Sequence, residues 1–191
     1  MLTAMEIEFK YNASEISLST FTEFCQERNR KNVHKFIIAS GYDYFYDSLT
    51  NPESFCRHRV GADMNQLTFK KKTSGTNNYV RTEHNIDLEN KVSVEQVKLL
   101  CGEFGYKYNT SIFKNCFIYA YDRYTLVYYV CYDKDMKELG RFVEIEMKED
   151  HNWSSEEEAY GELTIMEKLC KGLGISSKSR LKRSLYEMFK E

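Results

Sequence analysis

The chain has 191 residues, room for one sizeable domain or two small ones, with 42% hydrophobic and 29% charged residues. That balance excludes wholesale disorder, the formal charge of −2 gives no global basic field for nucleic acid, and one proline excludes proline-rich or collagen-like segments. No run of about eighteen apolar residues exists, so no membrane-spanning helix is expected. Charge interrupts the first apolar residues at Glu6, so no secretory signal is expected either, and a cytoplasmic location with reduced thiols follows. The six cysteines (Cys25, Cys56, Cys101, Cys116, Cys131 and Cys170) form no CxxC pair, which argues against a zinc site. Fifteen Tyr and 12 Phe favour strands.

Taken in chain order, Met5 to Tyr11 alternates strictly, with Met5, Ile7, Phe9 and Tyr11 on one face and Glu6, Glu8 and Lys10 on the other. Thr20-x-x-Glu23 reads as a capping box, followed by Phe21, Phe24 and Cys25 at helical spacing. An aromatic strand is predicted over 35–47, a turn at Asn51-Pro52, then strands over 55–61, 65–73 and 80–88. Ser93-x-x-Gln96 caps a second helix. Strands return over 106–119, 124–133 and 140–149. Ser155-x-x-Glu158 opens a third helix that ends near Gly172 to Gly174, and a last helix spans 180–190. Consecutive strands joined by short turns are antiparallel, and eight of them can close into a barrel that removes exposed edges.

The charges fall in stripes of period two: Glu6, Glu8 and Lys10; Arg57 and Arg59; Lys70 and Lys72; Arg81 and Glu83; and Glu144, Glu146 and Lys148 opposite Val143, Ile145 and Met147. Solvated sheet faces would account for any one stripe. Segregation of acidic from basic strands is harder to explain by solubility, which mixed charge serves better. If the stripes face the lumen of a barrel, four converging carboxylates need a cation, and a hard divalent ion such as Mg²⁺ or Mn²⁺ suits oxygen ligands. The basic stripes then need an anion, and a triphosphate satisfies both.

These residues resemble the CYTH superfamily, the triphosphate tunnel metalloenzymes. Glu6-Ile7-Glu8-Phe9-Lys10 resembles its N-terminal ExExK signature, and Asp43 to Ser48 its D-x-Y-Y-D-T strand. Phe55 to Arg59, Leu67 to Lys70 and Arg81 to Glu83 are similar to its L-R-x-R, L-T-x-K and R-x-E strands. Leu139 to Glu146 nearly repeats its L-G-x-F-V-E-I-E, and Leu173 to Ile175 with Arg183 to Glu187 resembles its C-terminal helix. The likeness runs in order from residue 5 to about 188, so the whole of 1–191 is expected to be one domain of this kind.

The resemblance implies a mainly β (α+β) fold, an eight-stranded antiparallel β-barrel tunnel with helices packed outside and a polar lumen. It implies Mg²⁺ or Mn²⁺ held by Glu6, Glu8, Glu144 and Glu146, with Asp133 as a further acidic candidate. It implies a triphosphate held by Lys10, Arg57, Arg59, Lys70, Arg81, Lys114 and Arg183, with Lys72 added and Glu83 orienting its basic neighbours. Two positions depart from the family pattern. Lys114-Asn115-Cys116 stands where K-x-R is expected, and Phe45 stands where a tyrosine pairs with a lysine, here Lys70, to activate water in the triphosphatase branch. The implied activity is therefore a class IV adenylate cyclase converting ATP to cyclic AMP and pyrophosphate. A triphosphatase acting on an organic or inorganic triphosphate and a non-catalytic nucleotide-binding module are the alternatives. The implied partners are the triphosphate substrate and, through the aromatic excess, a second copy in a homodimer, with neither nucleic acid nor membrane.

Overall fold

The computed structural model describes residues 4–28, 35–72, 80–122, 124–147, 157, 161, 164, 167–168 and 170–190; the side chains of 4–7, 28, 72 and 80–82 lie outside that description. In chain order the elements are β1 (Ala4–Asn12), α1 (Leu18–Arg28), β2 (Lys35–Ser48), β3 (Ser54–Gly61), β4 (Met64–Lys72) and β5 (Val80–Asp87). Then come α2 (Val94–Glu103), β6 (Tyr106–Ala120), β7 (Tyr124–Tyr132), β8 (Glu138–Met147), the two-residue β9 (Arg180–Leu181) and α3 (Leu185–Phe189).

All of these strand pairings are antiparallel. β2 to β5 form one meander and β6 to β8 another, and the long β2–β6 ladder joins them from Lys35↔Ala120 to Ser48↔Tyr106. β1 brings the two ends of the sheet together. Its residues Glu8 to Asn12 pair with β8, and Ala4 to Ile7 pair with β5. The seam is staggered rather than closed along its full length, and β9 pairs with Lys10 and Tyr11 beyond the point where β5 stops.

Two apolar layers sit outside the strands. Phe9 and Tyr11 of β1, Tyr128 of β7 and Val143 and Ile145 of β8 pack with Phe21 and Cys25 of α1 and with Cys170, Leu173 and Ile175. Tyr46, Cys56 and Leu67 pack with Val97 and Cys101 of α2. Burying these aliphatic and aromatic faces supplies the main driving force, roughly 1.5–3 kcal/mol for each large side chain. Among the described residues no helix is long and apolar enough to cross a membrane. All six cysteines are free thiols, and only Cys116 is other than fully buried.

Two local expectations change. The cap of α1 is Ser17, whose Oγ accepts from the Thr20 backbone N–H at 3.1 Å, so the helix begins before the Thr20-x-x-Glu23 box. The last helix is confined to Leu185–Phe189, because Arg180 and Leu181 are drawn into the sheet beside β1; Ser184 and Glu187 form its capping box. The Ser155-x-x-Glu158 box lies outside the described residues. The end of that helix is described: Gly174 adopts φ +78 and the Ile175 N–H reaches the Cys170 carbonyl at 3.1 Å, a left-handed C-terminal cap.

The lumen is also not polar throughout. At one end Phe45, Phe55, Ile112, Cys131 and Phe142 point inward and pack against Leu185 and Tyr186 of α3. Tyr186 stacks on Phe55 at 4.5 Å between ring centroids, and its hydroxyl donates to Asp47. Helix α3 thus fills that end, and the charged section lies beyond it.

Candidate functional site

The charged section is a cavity of about 320 Å³. Alternation on β1 turns Glu8 and Lys10 into it while Phe9 and Tyr11 face the outer core. The same alternation brings in Arg57 and Arg59 from β3, Lys70 from β4, Glu83 from β5, Lys114 from β6, and Glu144 and Glu146 from β8. Most of the carboxylates and cations read from the stripes therefore share one chamber. Glu6, Lys72 and Arg81 are placed by backbone only: Glu6 pairs with Arg81 and Lys72 with Arg81 on its other side. Lys148 lies outside the described residues.

Two candidates are not brought to the chamber. Asp133 caps the β7–β8 turn, its Oδ1 accepting the backbone N–H groups of Asp135 and Lys137 at 2.9 Å each. Arg183 is exposed and donates to the Glu187 carbonyl at 2.6 Å. With the final helix starting only at Leu185, Arg183 belongs to the connection rather than to a helix face aimed inward.

Among the described lining residues, five carboxylates (Glu8, Asp43, Glu83, Glu144, Glu146) meet five cations (Lys10, Arg57, Arg59, Lys70, Lys114). Ion pairs join Lys10, Arg59, Lys70 and Lys114 to carboxylates of this set. Lys10 Nζ bridges Glu8 Oε1 at 3.2 Å and Glu144 Oε1 at 2.8 Å. Arg59 grips Asp43 with two hydrogen bonds, 2.6 and 2.9 Å, and Lys114 stands 3.9 Å from the same carboxylate. Lys70 is paired with Glu83. Burial would raise the Asp43 and Glu144 carboxyls, but Arg59 beside the first and Lys10 and Lys114 beside the second hold both below the usual carboxylate range. Both are anions in the folded protein.

Asp43 and Tyr129 are the site residues that the charge stripes alone do not reveal. Asp43 is 2% exposed, and the β2–β3 register sets it opposite Arg59. The buried Tyr129 hydroxyl donates to Glu144 Oε1 at 2.7 Å, and its ring lies 4.0 Å under the Lys114 ammonium. Burial, then the Glu144 charge, push the phenol well above its ordinary value, so it stays a hydrogen-bond donor. Tyr129 therefore orients an acidic and a basic member of the chamber at once. Tyr129→Phe keeps the ring and removes the donor; where a carboxylate serves as a metal ligand, its hydrogen-bonding partner is worth about 10–100-fold in metal affinity. Mn²⁺ binding followed by electron paramagnetic resonance should weaken about tenfold, and the lost charge-assisted hydrogen bond should lower stability by about 1–3 kcal/mol. Unchanged Mn²⁺ affinity would reduce Tyr129 to a core ring.

The departures noted in the sequence also lie in this chamber. Phe45 lines it, while Tyr44 and Tyr46 face the outer layer. Cys116 lines it beside Lys114, its thiol pushed up by burial.

No family model matches the sequence, and no curated protein matches it. Solved structures do. A conserved hypothetical protein from Pyrococcus furiosus aligns with a TM-score of 0.72 at 20% identity, covering 96% of this chain and 99% of that one. A protein from Vibrio parahaemolyticus described as a candidate adenylate cyclase aligns at 0.71 and 15% identity, covering 98% of each chain. The RNA triphosphatase domain of a mimivirus mRNA capping enzyme aligns at 0.54 and 9% identity, covering 89% of this chain and 88% of that one. The chain shares its fold with these proteins.

Proposed function

We propose that the chain is a member of the CYTH superfamily and a divalent-metal-dependent enzyme acting on a triphosphate, with class IV adenylate cyclase activity as its reaction. The observation that carries this reading is the meeting of acidic and basic strand stripes in one chamber. Among the described lining residues five cations are matched in number by five carboxylates, which leaves little positive charge to balance a triphosphate, and a divalent ion supplies it. The donors fit such an ion in kind: Glu8 and Glu144 are hard oxygen ligands that line one wall with Glu146, and Glu8 sits opposite Glu146 in the β1–β8 register. Glu6 is the fourth proposed ligand. Among the described residues no three such side chains are grouped at metal-holding distance, and Lys10 stands between Glu8 and Glu144, so loading requires Lys10 to turn from them toward phosphate. The bound ion supplies stabilisation of the charge that develops on the phosphates.

Arg57, Arg59, Lys70 and Lys114 bind the phosphate chain in this reading, with Arg81, Lys72 and Lys10 contributing from the neighbouring strands. In a cyclase the ribose 3′-hydroxyl gives up its proton, its oxygen bonds to the α-phosphorus, and the bond to the β-phosphate breaks to release pyrophosphate. Phe45 favours this over hydrolysis, because the chamber wall carries a phenyl ring where water activation would need a hydroxyl. The nearby Tyr186 phenol does not replace it: burial and the bond to Asp47 push it above its ordinary value and keep it protonated.

The test incubates the protein with Mg²⁺ or Mn²⁺ and separately with ATP, thiamine triphosphate and tripolyphosphate, then resolves the products. Cyclic AMP with pyrophosphate is expected from ATP. Orthophosphate from all three would make the protein a triphosphatase, and binding without any product would make it a nucleotide-binding module.

A further inference from the structure

We propose that Thr68 and Asn85 are positioning residues for the phosphate site: a hydrogen-bonded chain from Asn85 through the Thr68 hydroxyl holds the Arg57 guanidinium in the orientation that meets the phosphates. This rests on the triphosphate reading above and adds to it two residues that carry no charge.

The inward-facing residues of β2 to β5 stand in rows, because the register sets them opposite one another. One row runs Asp43, Arg59, Gln66, Asp87, the next Phe45, Arg57, Thr68, Asn85, and the third Asp47, Phe55, Lys70, Glu83. In the outer two rows the cation is held by a carboxylate of its own row, Arg59 by Asp43 and Lys70 by Glu83. The middle row has no carboxylate. Its Phe45 offers no hydrogen-bonding side-chain atom, and the row holds Arg57 through a hydroxyl instead: Nη2 donates to Thr68 Oγ1 at 3.3 Å.

The atoms fix the direction of the chain. A guanidinium only donates, so Thr68 Oγ1 accepts, and the single hydroxyl proton goes to Asn85 Oδ1 at 2.8 Å. Gln66 Oε1, at 3.5 Å, is the weaker alternative acceptor. Thr68 is 0% exposed, whereas Arg57 and Asn85 line the chamber. Thr68 thus lies beneath the chamber surface and acts on a ligand only through Arg57. A planar fork pairs with phosphate oxygens in a set orientation, so holding one corner of the guanidinium matters more than it would for an ammonium. The holding atom is neutral, so this contact orients the guanidinium without cancelling its charge.

The experiment is calorimetric titration of tripolyphosphate and of α,β-methylene-ATP at fixed excess Mg²⁺. The second probe carries a triphosphate chain whose α–β linkage the proposed cyclisation cannot break. Thr68→Val keeps the shape and removes the hydroxyl, and should weaken both ligands about tenfold, the lower end for a hydrogen bond to a charged group. Thr68→Ser puts a hydroxyl back and should rescue the affinity. Asn85→Ala changes an exposed position and decides the question if Thr68→Val fails to fold. It should weaken both ligands by about threefold, less than the valine variant because the Thr68 proton can turn to Gln66. In an Arg57→Ala background neither substitution should add a further loss, whereas a general effect on folding would persist there. Affinities unchanged by Thr68→Val and Asn85→Ala, or the same losses with Arg57→Ala present, would overturn the positioning role while leaving the phosphate site standing. Failure of the unaltered protein to bind either ligand would instead remove the triphosphate reading itself, and this proposal with it.

Discussion

Replacing Glu144 by glutamine should lower metal-dependent turnover by at least about a hundredfold, since removing a proposed ligand should exceed the 10–100-fold cost of losing a ligand's hydrogen-bonding partner. The substitution keeps the shape of the side chain and leaves an acceptor for the Tyr129 hydroxyl. It removes the charge that Lys10 meets at 2.8 Å. Four carboxylates grouped without a cation would repel, and deleting one would then relieve strain. Glu144 stands differently: Lys10 bridges it to Glu8, and its carboxyl is held below the usual range. Stability should therefore fall rather than rise, by about 1–3 kcal/mol for a lost charge-assisted hydrogen bond. Turnover against Mg²⁺ and Mn²⁺ concentration, with chemical unfolding in parallel, measures both effects. Full turnover in the variant, or turnover that needs no divalent ion, would defeat the metal assignment.

The second large effect is on folding. Asp43→Ala should cost about 3–5 kcal/mol, because it leaves Arg59 and Lys114 facing a buried gap without their shared counter-charge. Asp43→Asn preserves shape and isolates the charge. Asp43 has a folded pKa depressed below its unfolded value near 3.9, so its contribution is complete above that range and is lost as pH falls toward the folded value. The stability gap between the unaltered protein and Asp43→Asn should be widest above about pH 5 and shrink in acid. Carboxylates common to both proteins cancel in the difference. A gap independent of pH, or a cost for Asp43→Ala below about 1 kcal/mol, would mean that the Arg59 pair is solvated.

The sheet was largely legible in the sequence because its two faces differ in polarity. Glu8 and Lys10 alternate with Phe9 and Tyr11, and Glu144 and Glu146 with Val143 and Ile145, so strand, face and chamber follow from period two. Where both faces are apolar the period says nothing. Tyr128 and Tyr129 are adjacent and both buried, one in the outer layer under α1 and one in the lumen beside Glu144. Asp43 was visible in a motif, but its grip on Arg59 depends on a register that only the paired strands define. Arg183 was misplaced with its helix, since pairing of Arg180 and Leu181 to β1 is a long-range contact that local helix signals do not contain.

Helix α3 has a consequence for traffic. By filling the Phe45 end with Leu185 and Tyr186 it makes the lumen a blind sac rather than a through-passage along its axis. On the proposed reading the phosphate tail enters first and lies deepest, and the esterified group remains nearer the mouth. After cleavage the outer fragment can depart while the inner phosphate still sits among the cations, but not the reverse. Release is then last in, first out, and the fragment that leaves last is the one that competes with the next substrate for the same arginines and lysines.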